Sequence, residues 1–136
     1  MINLLRIQKD LYNAIKKLGY TVVDEATIKT KCPYVKIGYS TVQTIDIKQK
    51  SAYNMMQYID IYSDYQGSKE VKEIAYNIYD NLNNLNLSTD DYTVNSKLYH
   101  MEFLEEENVN RRKNGSSEQV GKYRHGILIY KINVYE

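Results

Sequence analysis

Two histidines, His100 and His125, have the widest chemical range of any side chains in this sequence. They flank a long polar segment, and pairing of the strands that hold them would bring both rings close to Glu102. Imidazole and carboxylate groups bind zinc, so a metal site is one interpretation. The spacing matches neither HExxH nor a Cys/His cluster, and histidines at the surface or at strand ends are the other interpretation. The sequence therefore predicts no metal ligands and no cofactor.

The single cysteine, Cys32, precedes a proline and has only Lys31 as a basic neighbour. A nucleophilic thiol needs a pKa that nearby positive groups have lowered. We therefore predict a buried or half-buried, inert thiol. One cysteine also excludes an internal disulfide and is typical of a reducing compartment.

The clustered carboxylates, Asp90, Asp91 and the run Glu105, Glu106 and Glu107, lie in polar segments. General acid–base catalysis needs a carboxylate whose pKa burial or a partner has shifted, and solvated segments offer neither. Gly67-Ser68-Lys69 lacks the upstream glycine of a phosphate-binding loop. The sequence thus predicts no catalytic residues and no enzymatic activity.

The basic cluster Arg111, Arg112 and Lys113 is the clearest charge feature. It has three interpretations: an arm that contacts nucleic acid or an acidic protein, a solvated loop tip balanced by the preceding glutamates, or a segment that orders on assembly. The whole chain has 18 basic and 17 acidic residues and a net charge of +1. This balance argues against a dedicated nucleic-acid-binding protein.

Composition predicts one globular domain over residues 1–136, with 43% hydrophobic residues. We expect no signal peptide, and no apolar run approaches the roughly 20 residues of a membrane span. The chain has 15 Tyr, one Phe and no Trp. Codon bias is one explanation, and use of tyrosine at protein interfaces is a second.

Two amphipathic helices are predicted, over Asn3–Leu18 and from Ser68 to about Asn83. The first has Asn3 as a candidate N-cap and Gly19 just beyond its end. The second begins after a turn at Gly67, with Ser68 as its cap. Its apolar stripe comprises Val71, Ile74, Ala75, Ile78 and Leu82.

Alternating apolar residues predict the strands. They are Thr21–Val23, Tyr34–Tyr39, Val42–Ile47, Ala52–Ser63, Tyr92–Phe103 and Tyr123–Tyr135. The strand over Ala52–Ser63 is apolar on both faces and is predicted to be central. A hairpin over Gln43–Ala52, with a turn at Gln49–Ser51, and a long polar loop over Glu105–Gly121 connect strands. The fold class is α+β: a mostly antiparallel β-sheet packed against two α-helices, with a long flexible β-hairpin loop.

Four segments, together with the order of these elements, resemble the tail-completion proteins of long-tailed bacteriophages, also described as tail-terminator or head–tail joining proteins. They are Pro33–Gly38, Ile59–Ser63, Gly67–Glu70 with the helix that follows, and Tyr123–Leu128. The resemblance spans almost the whole chain. It rests on the order and spacing of the four segments rather than on any one of them.

The resemblance implies a structural protein that forms a ring, commonly of six copies, at the head-proximal end of the tail tube. Its implied partners are further copies of itself, the major tail tube protein and the head connector or head-completion protein. DNA would pass through the lumen without sequence-specific binding, and no membrane is involved. The implied location is the virion tail, and the bacterial host cytoplasm during assembly.

Exposed segments are the candidate assembly contacts, because the family supplies no shared catalytic residues. They are Arg111, Arg112, Lys113, Glu105, Glu106 and Glu107 on the long loop, and Lys48 and Lys50 on the hairpin. The alternative function is a head-completion, connector or minor tail protein of a phage or prophage. A small hydrolase or nuclease is a third class, against which the missing nucleophile and metal motifs argue.

Overall fold

The structure, a computed structural model, describes residues 4–27, 29–47, 50–111 and 118–136. For residues 46–47, 107–111 and 118–122 it describes the backbone alone. The elements in chain order are α1 (Leu4–Lys16), β1 (Val22–Val23), β2 (Tyr34–Ile47), β3 (Lys50–Ser63), α2 (Lys69–Asn83), β4 (Thr93–Arg111) and β5 (Glu118–Tyr135). The fold class is α+β, as the sequence predicts.

Both predicted helices are present, and their apolar stripes are buried. In α1 the buried residues are Ile7, Leu11, Ala14 and Ile15. In α2 they are Val71, Ile74, Ala75, Ile78 and Leu82, the predicted stripe. The helix α1 ends two residues earlier than predicted, and Gly19 follows with a φ of 95°, a conformation that glycine adopts at least cost. The candidate N-cap Asn3 lies outside the described residues.

The junction between β3 and α2 turns at Gly67, whose φ is 114°. Ser68 occupies the N-cap position, but its side chain makes no capping hydrogen bond, so the predicted capping role is wrong. The junction is held instead by Ser63, the buried last residue of β3. The Ser63 hydroxyl donates to Glu70 Oε1 at 2.6 Å and accepts from the Tyr65 N–H at 3.2 Å.

The sheet has the order β1-β2-β3-β5-β4, and β1 pairs with β2 in parallel while all other pairs are antiparallel. Strand β3 lies in the middle, as predicted from its two apolar faces. Strand β2 is continuous where the sequence suggested two strands, because a bulge between Ile37 and Ser40 keeps both halves paired with β3. Strand β3 begins at Lys50, two residues earlier than predicted, so Lys50 and Ser51 belong to the strand and not to the predicted turn. The remaining turn residue, Gln49, lies outside the described residues.

A buried amide supports this bulge. Gln57 is 2% exposed, and its Nε2 lies 2.9 Å from the Tyr58 carbonyl oxygen, 3.2 Å from that of Gly38 and 3.4 Å from that of Tyr39. A bulge leaves backbone carbonyls without ladder partners, and buried carbonyls need a donor. The Gln57 side chain provides that donor.

Alternation along β3 and β5 separates two faces of the sheet. One face carries Met55, Ile59 and Ile61 of β3, which join the core cluster formed with α1 and α2. The opposite face, which we call the outer face, carries Tyr58, Asp60 and Tyr62 of β3 and their register partners Ile129, Ile127 and His125 of β5.

The predicted loop over Glu105–Gly121 is wrong for its described residues, because β4 continues to Arg111 and pairs with β5, which begins at Glu118. Residues 112–117 of that loop lie outside the described part of the chain. The register places Glu105 opposite Arg124, Glu107 opposite Lys122, and Arg111 opposite Glu118. Opposite charges at facing positions stabilise a strand pair even without apolar alternation. The sequence pattern missed these strands because it searched for alternating apolar residues.

Candidate functional site

The outer face contains a polar cluster centred on His125 of β5. Register places His125 directly opposite Tyr62 on β3 and Leu104 on β4. Because residues two apart on a strand share a face, Asp60 of β3 and Glu106 of β4 reach the same ring. The cluster therefore joins the three adjacent strands β3, β5 and β4.

Both ring nitrogens of His125 contact carboxylates. Nδ1 lies 2.6 Å from Glu106 Oε1, and Nε2 lies 2.8 Å from Asp60 Oδ1. Ionised carboxylates only accept hydrogen bonds, so both nitrogens must donate. The geometry therefore requires a doubly protonated, positively charged imidazole between two negative groups. Tyr123 completes the cluster by donating its hydroxyl hydrogen to Glu106 Oε2 at 2.7 Å.

Aromatic rings cover the imidazolium. The Tyr62 ring stacks on His125 with 4.4 Å between centroids, and Tyr34 stacks on the far side of Tyr62 at 4.9 Å. A cation over an aromatic face is attracted by the ring electrons. The His125 side chain is 12% exposed and that of Asp60 is 15% exposed, so water screens their interaction weakly.

The pKa shifts in the cluster agree with this assignment of charges. Burial by itself lowers the pKa of His125, but hydrogen bonds and charges of Asp60 and Glu106 outweigh burial and raise it. The Tyr123 hydrogen bond lowers the pKa of Glu106, with burial opposing it and His125 assisting it. The same hydrogen bond, with burial, raises the pKa of Tyr123 to about 12.

Chemically, the cluster is a closed network. Both His125 nitrogens are engaged, and the Glu106 oxygens are divided between His125 and Tyr123. Among the described residues, no group of three or more His, Cys, Asp or Glu side chains has the arrangement of a metal site. The cluster links β4 and β5 to the central strand β3 through the His125 ring.

The predicted approach of His100, His125 and Glu102 is wrong. His100 faces Ile129, four positions along β5 from His125, which corresponds to roughly 13 Å of strand. Its contact is with Glu102, at 3.8 Å between Nε2 and Oε2, and both side chains are about half exposed. The interpretation of surface histidines fits His100, whereas His125 is largely enclosed.

The sequence reasoning missed Asp60 as the second carboxylate of the cluster. A signal was present, because Ile59-Asp60-Ile61 places a charge in the middle of a strand predicted to be central. A charge buried in a sheet requires a partner. Only the strand register identifies that partner as His125.

The predicted assembly residues differ in how far the structure describes them. Glu105 and Glu106 have described side chains with partners inside the chain: Glu105 lies 3.3 Å from Arg124 Nη1, and Glu106 holds His125. Lys50 is exposed at the first position of β3. Glu107 and Arg111 are described by backbone alone, and Lys48, Arg112 and Lys113 lie outside the described residues. Along the described strands, the register places the start of β3 beside Tyr135 at one end of β5, and Arg111 beside Glu118 at the other end.

The remaining candidates are one thiol and two carboxylates. Cys32 is a half-buried free thiol whose pKa is raised, first by burial and then by the charges of Asp64 and Glu70. This agrees with the predicted inert thiol, because a raised pKa disfavours the thiolate. Asp90 and Asp91 are exposed, as expected for a polar connection.

Comparison with known proteins gives a likeness of fold. No family model matches the sequence, and no curated protein matches it. A solved structure described as the virion of a native gene transfer agent particle contains a similar chain, with a TM-score of 0.60 and 18% sequence identity. The match covers 96% of this chain and 95% of that one. Within the described part of the chain, neither helix has the length and apolar character required to cross a membrane.

Proposed function

We propose that this protein is a structural component of a phage-like virion that caps the head-proximal end of the tail tube as a ring and joins tail to head. The observation that carries the proposal is the end-to-end likeness to a chain of the gene transfer agent virion. The two chains share one fold over nearly all of both lengths, which supports a similar structural use. The proposed role needs no catalytic group.

The tail-end position rests on the resemblance to tail-completion proteins. Its four segments lie close together in the fold. Pro33–Gly38 enters and begins β2, Ile59–Ser63 ends β3, and Tyr123–Leu128 lies in β5. These strands are neighbours in the sheet, and Gly67–Glu70 forms the turn into the helix that packs on it. The resemblance therefore follows one contiguous part of the scaffold.

A ring needs contacts between different surfaces of neighbouring copies, so that each copy rotates the next by a constant angle. The paired strands of the β4–β5 hairpin continue beyond the His125 cluster, from Glu107 opposite Lys122 to Arg111 opposite Glu118. Arg112 and Lys113 follow directly in the sequence. This hairpin is the proposed contact with a neighbouring copy, the tube protein or the connector, and Lys48 and Lys50 provide a second contact.

Labelling of assembled particles tests the proposal. Particles carrying the chain with a C-terminal gold-binding tag should show gold at the junction of head and tail, and at one end of free tails. Gold along the whole tube, on the head lattice, at the head-distal end, or absent from particles would contradict the proposed position. An untagged particle preparation is the matched control for non-specific gold.

A further inference from the structure

Strand β2 leaves most of one edge open. It pairs along its length with β3, but β1 covers its other side at Val35 and Lys36 alone. No strand of the described structure lies beside residues 37–47 on that side. An open strand edge presents unpaired N–H and C=O groups that can pair with another chain.

The open edge also lacks the usual protection. From Ile37 to Ile45 the sequence IGYSTVQTI contains no charged residue and no proline. Tyr39 is 65% exposed and Val42 is 41% exposed, although both have high strand propensity. Natural sheets place charged residues, proline, short strands or bulges at edges that stay free. Of these devices the neutral run has only the bulge between Ile37 and Ser40, so the stretch from Ser40 to Ile45 lacks protection.

The opposite edge of the sheet, β4, is partly covered and is a poor partner for the open edge of β2. The Val94 N–H donates to Ser88 Oγ at 2.9 Å, and that hydroxyl also lies 3.5 Å from the Val94 carbonyl oxygen. The same strand carries Lys97 and Glu102. The Ser88 contacts cover only the start of β4. A copy that offered the later part of β4 would place Lys97 and Glu102 against the neutral run of β2, whereas a copy that offered β2 would not.

We propose that the open edge of β2 pairs with the β2 edge of a second copy, antiparallel and about a two-fold axis at Val42. Val42 is the midpoint of the free stretch over residues 37–47 and also of the regular run Ser40–Thr44 that follows the bulge. A second copy therefore pairs along that run and stops short of β1. The inference concerns the free protein and does not depend on the proposed ring.

Backbone direction supports this register. The Val35 N–H donates to the Thr21 carbonyl oxygen at 2.8 Å. Before the bulge, therefore, the odd-numbered residues of β2 direct their N–H and C=O groups outward, away from β3. The extra residue at the bulge reverses the alternation, and Ser40, Val42 and Thr44 point outward after it. Val42 then pairs with Val42 of the second copy, and Ser40 pairs with Thr44.

Side-chain chemistry agrees with the same arrangement. Tyr39 comes to lie near Ile45 of the second copy on the outer face, and aromatic residues beside β-branched residues stabilise strand pairs. Because the run from Ile37 to Ile45 contains no charged residue, no like charges face each other within it.

Charge substitutions at the axis provide the test. Sedimentation of the wild-type protein should show a dimer, and both Val42→Lys and Val42→Glu should weaken it by roughly tenfold or more, because like charges directly face each other. An equimolar mixture of the two variants should dimerise again. Thr93→Lys, on the other edge strand, is the control and should leave the dimer unchanged. A monomeric wild type, or an assembly that Val42→Lys leaves intact, would overturn the proposal.

Disulfide trapping tests the register without relying on a destabilised variant. In a Cys32→Ser background, Val42→Cys should form a self-disulfide rapidly under mild oxidation, because residue 42 meets its own copy. Ser96→Cys on β4, in the same background, should not. A Val42→Cys protein that stays reduced, or that links only to Ser96→Cys when the two are mixed, would overturn the two-fold pairing.

Discussion

At the scale of single residues, His125 has the most constrained chemistry in the described structure. Two carboxylates at 2.6 and 2.8 Å fix its charge, and the Tyr62 ring fixes its plane. Gly38 adds to the constraint, because a Cβ at that position would lie 2.5 Å from Asp60 Oδ2. The small residue leaves room for the Asp60 carboxylate to reach the histidine.

Replacing His125 with glutamine should destabilise the protein in a pH-dependent way. The folded-state pKa of His125 is raised, so its contribution is fully present below the unfolded value of about 6.5 and is lost as pH rises through the folded value. The folded-state pKa of Glu106 is lowered from 4.5, so its contribution is lost as pH falls through the lower value. The free energy of unfolding that His125→Gln removes should therefore be largest between the folded-state pKa values of Glu106 and His125, at about 1–3 kcal/mol.

Urea unfolding of wild type and His125→Gln from pH 5 to pH 9 measures this difference. The difference in the free energy of unfolding between the two proteins should become smaller as the pH rises. A difference that grows with pH would contradict the assigned charges. His100→Gln is the matched control, since that ring is half exposed, and it should change the free energy of unfolding by less than about 0.5 kcal/mol.

At the scale of elements, the packing of α2 on the sheet depends on Gly126 of β5. A Cβ there would lie 2.9 Å from Val71 Cγ2 and 3.4 Å from two ring carbons of Phe103. The helix therefore approaches the strand where no side chain intervenes. This close approach explains why a glycine lies in the middle of a buried strand.

Gly126→Ala should lower the free energy of unfolding by about 1–3 kcal/mol, because the added methyl overpacks the interface. Val71→Ala removes the contacting Cγ2 atom, so the double variant should lose less stability than the sum of the two single losses. Urea denaturation of the four proteins in a double-mutant cycle measures the coupling. Strictly additive losses would show that the two residues do not meet.

The sequence predicted correctly the elements whose apolar residues repeat with the period of a helix or of a strand. The stripe from Val71 to Leu82 and the two-faced strand β3 are examples, since burial alone determines their pattern. The full length of the β4–β5 hairpin was not predicted, because facing charges, rather than apolar alternation, distinguish it. The His125 cluster was not predicted because its members come from three strands, and only the strand register places Asp60 and Glu106 beside the same ring.

At the scale of the whole molecule, the protein has two candidate contact surfaces of different chemistry. The sequence of the β4–β5 hairpin carries charges of both signs, whereas the run Ile37–Ile45 on the open edge of β2 is neutral. Contacts built on charge give selective association that salt weakens, and contacts built on backbone pairing depend little on salt. The two surfaces can therefore serve different partners.

Replacing Arg111, Arg112 and Lys113 together with serine should impair the proposed joining of heads to tails while the chain still folds. Arg111 is the last residue of β4, Arg112 and Lys113 follow it in the sequence, and the buried core of the described residues is formed by other parts of the chain. Infectious titre and thermal melting measure the two effects. Replacing the exposed Lys97 and Lys131 with serine is the control for general loss of positive charge. A normal titre from the triple variant would contradict the proposed contact.

Electron microscopy of particles made without this chain tests the proposed role most directly. In a strain that produces the particles, an in-frame deletion of the gene should give filled heads without tails together with overlong or irregular free tails, and expression of the chain from a plasmid should restore joined particles. Normal free tails beside leaking heads would indicate a head-completion protein instead. Intact, joined particles of normal tail length would contradict a role in ending the tail and joining it to the head.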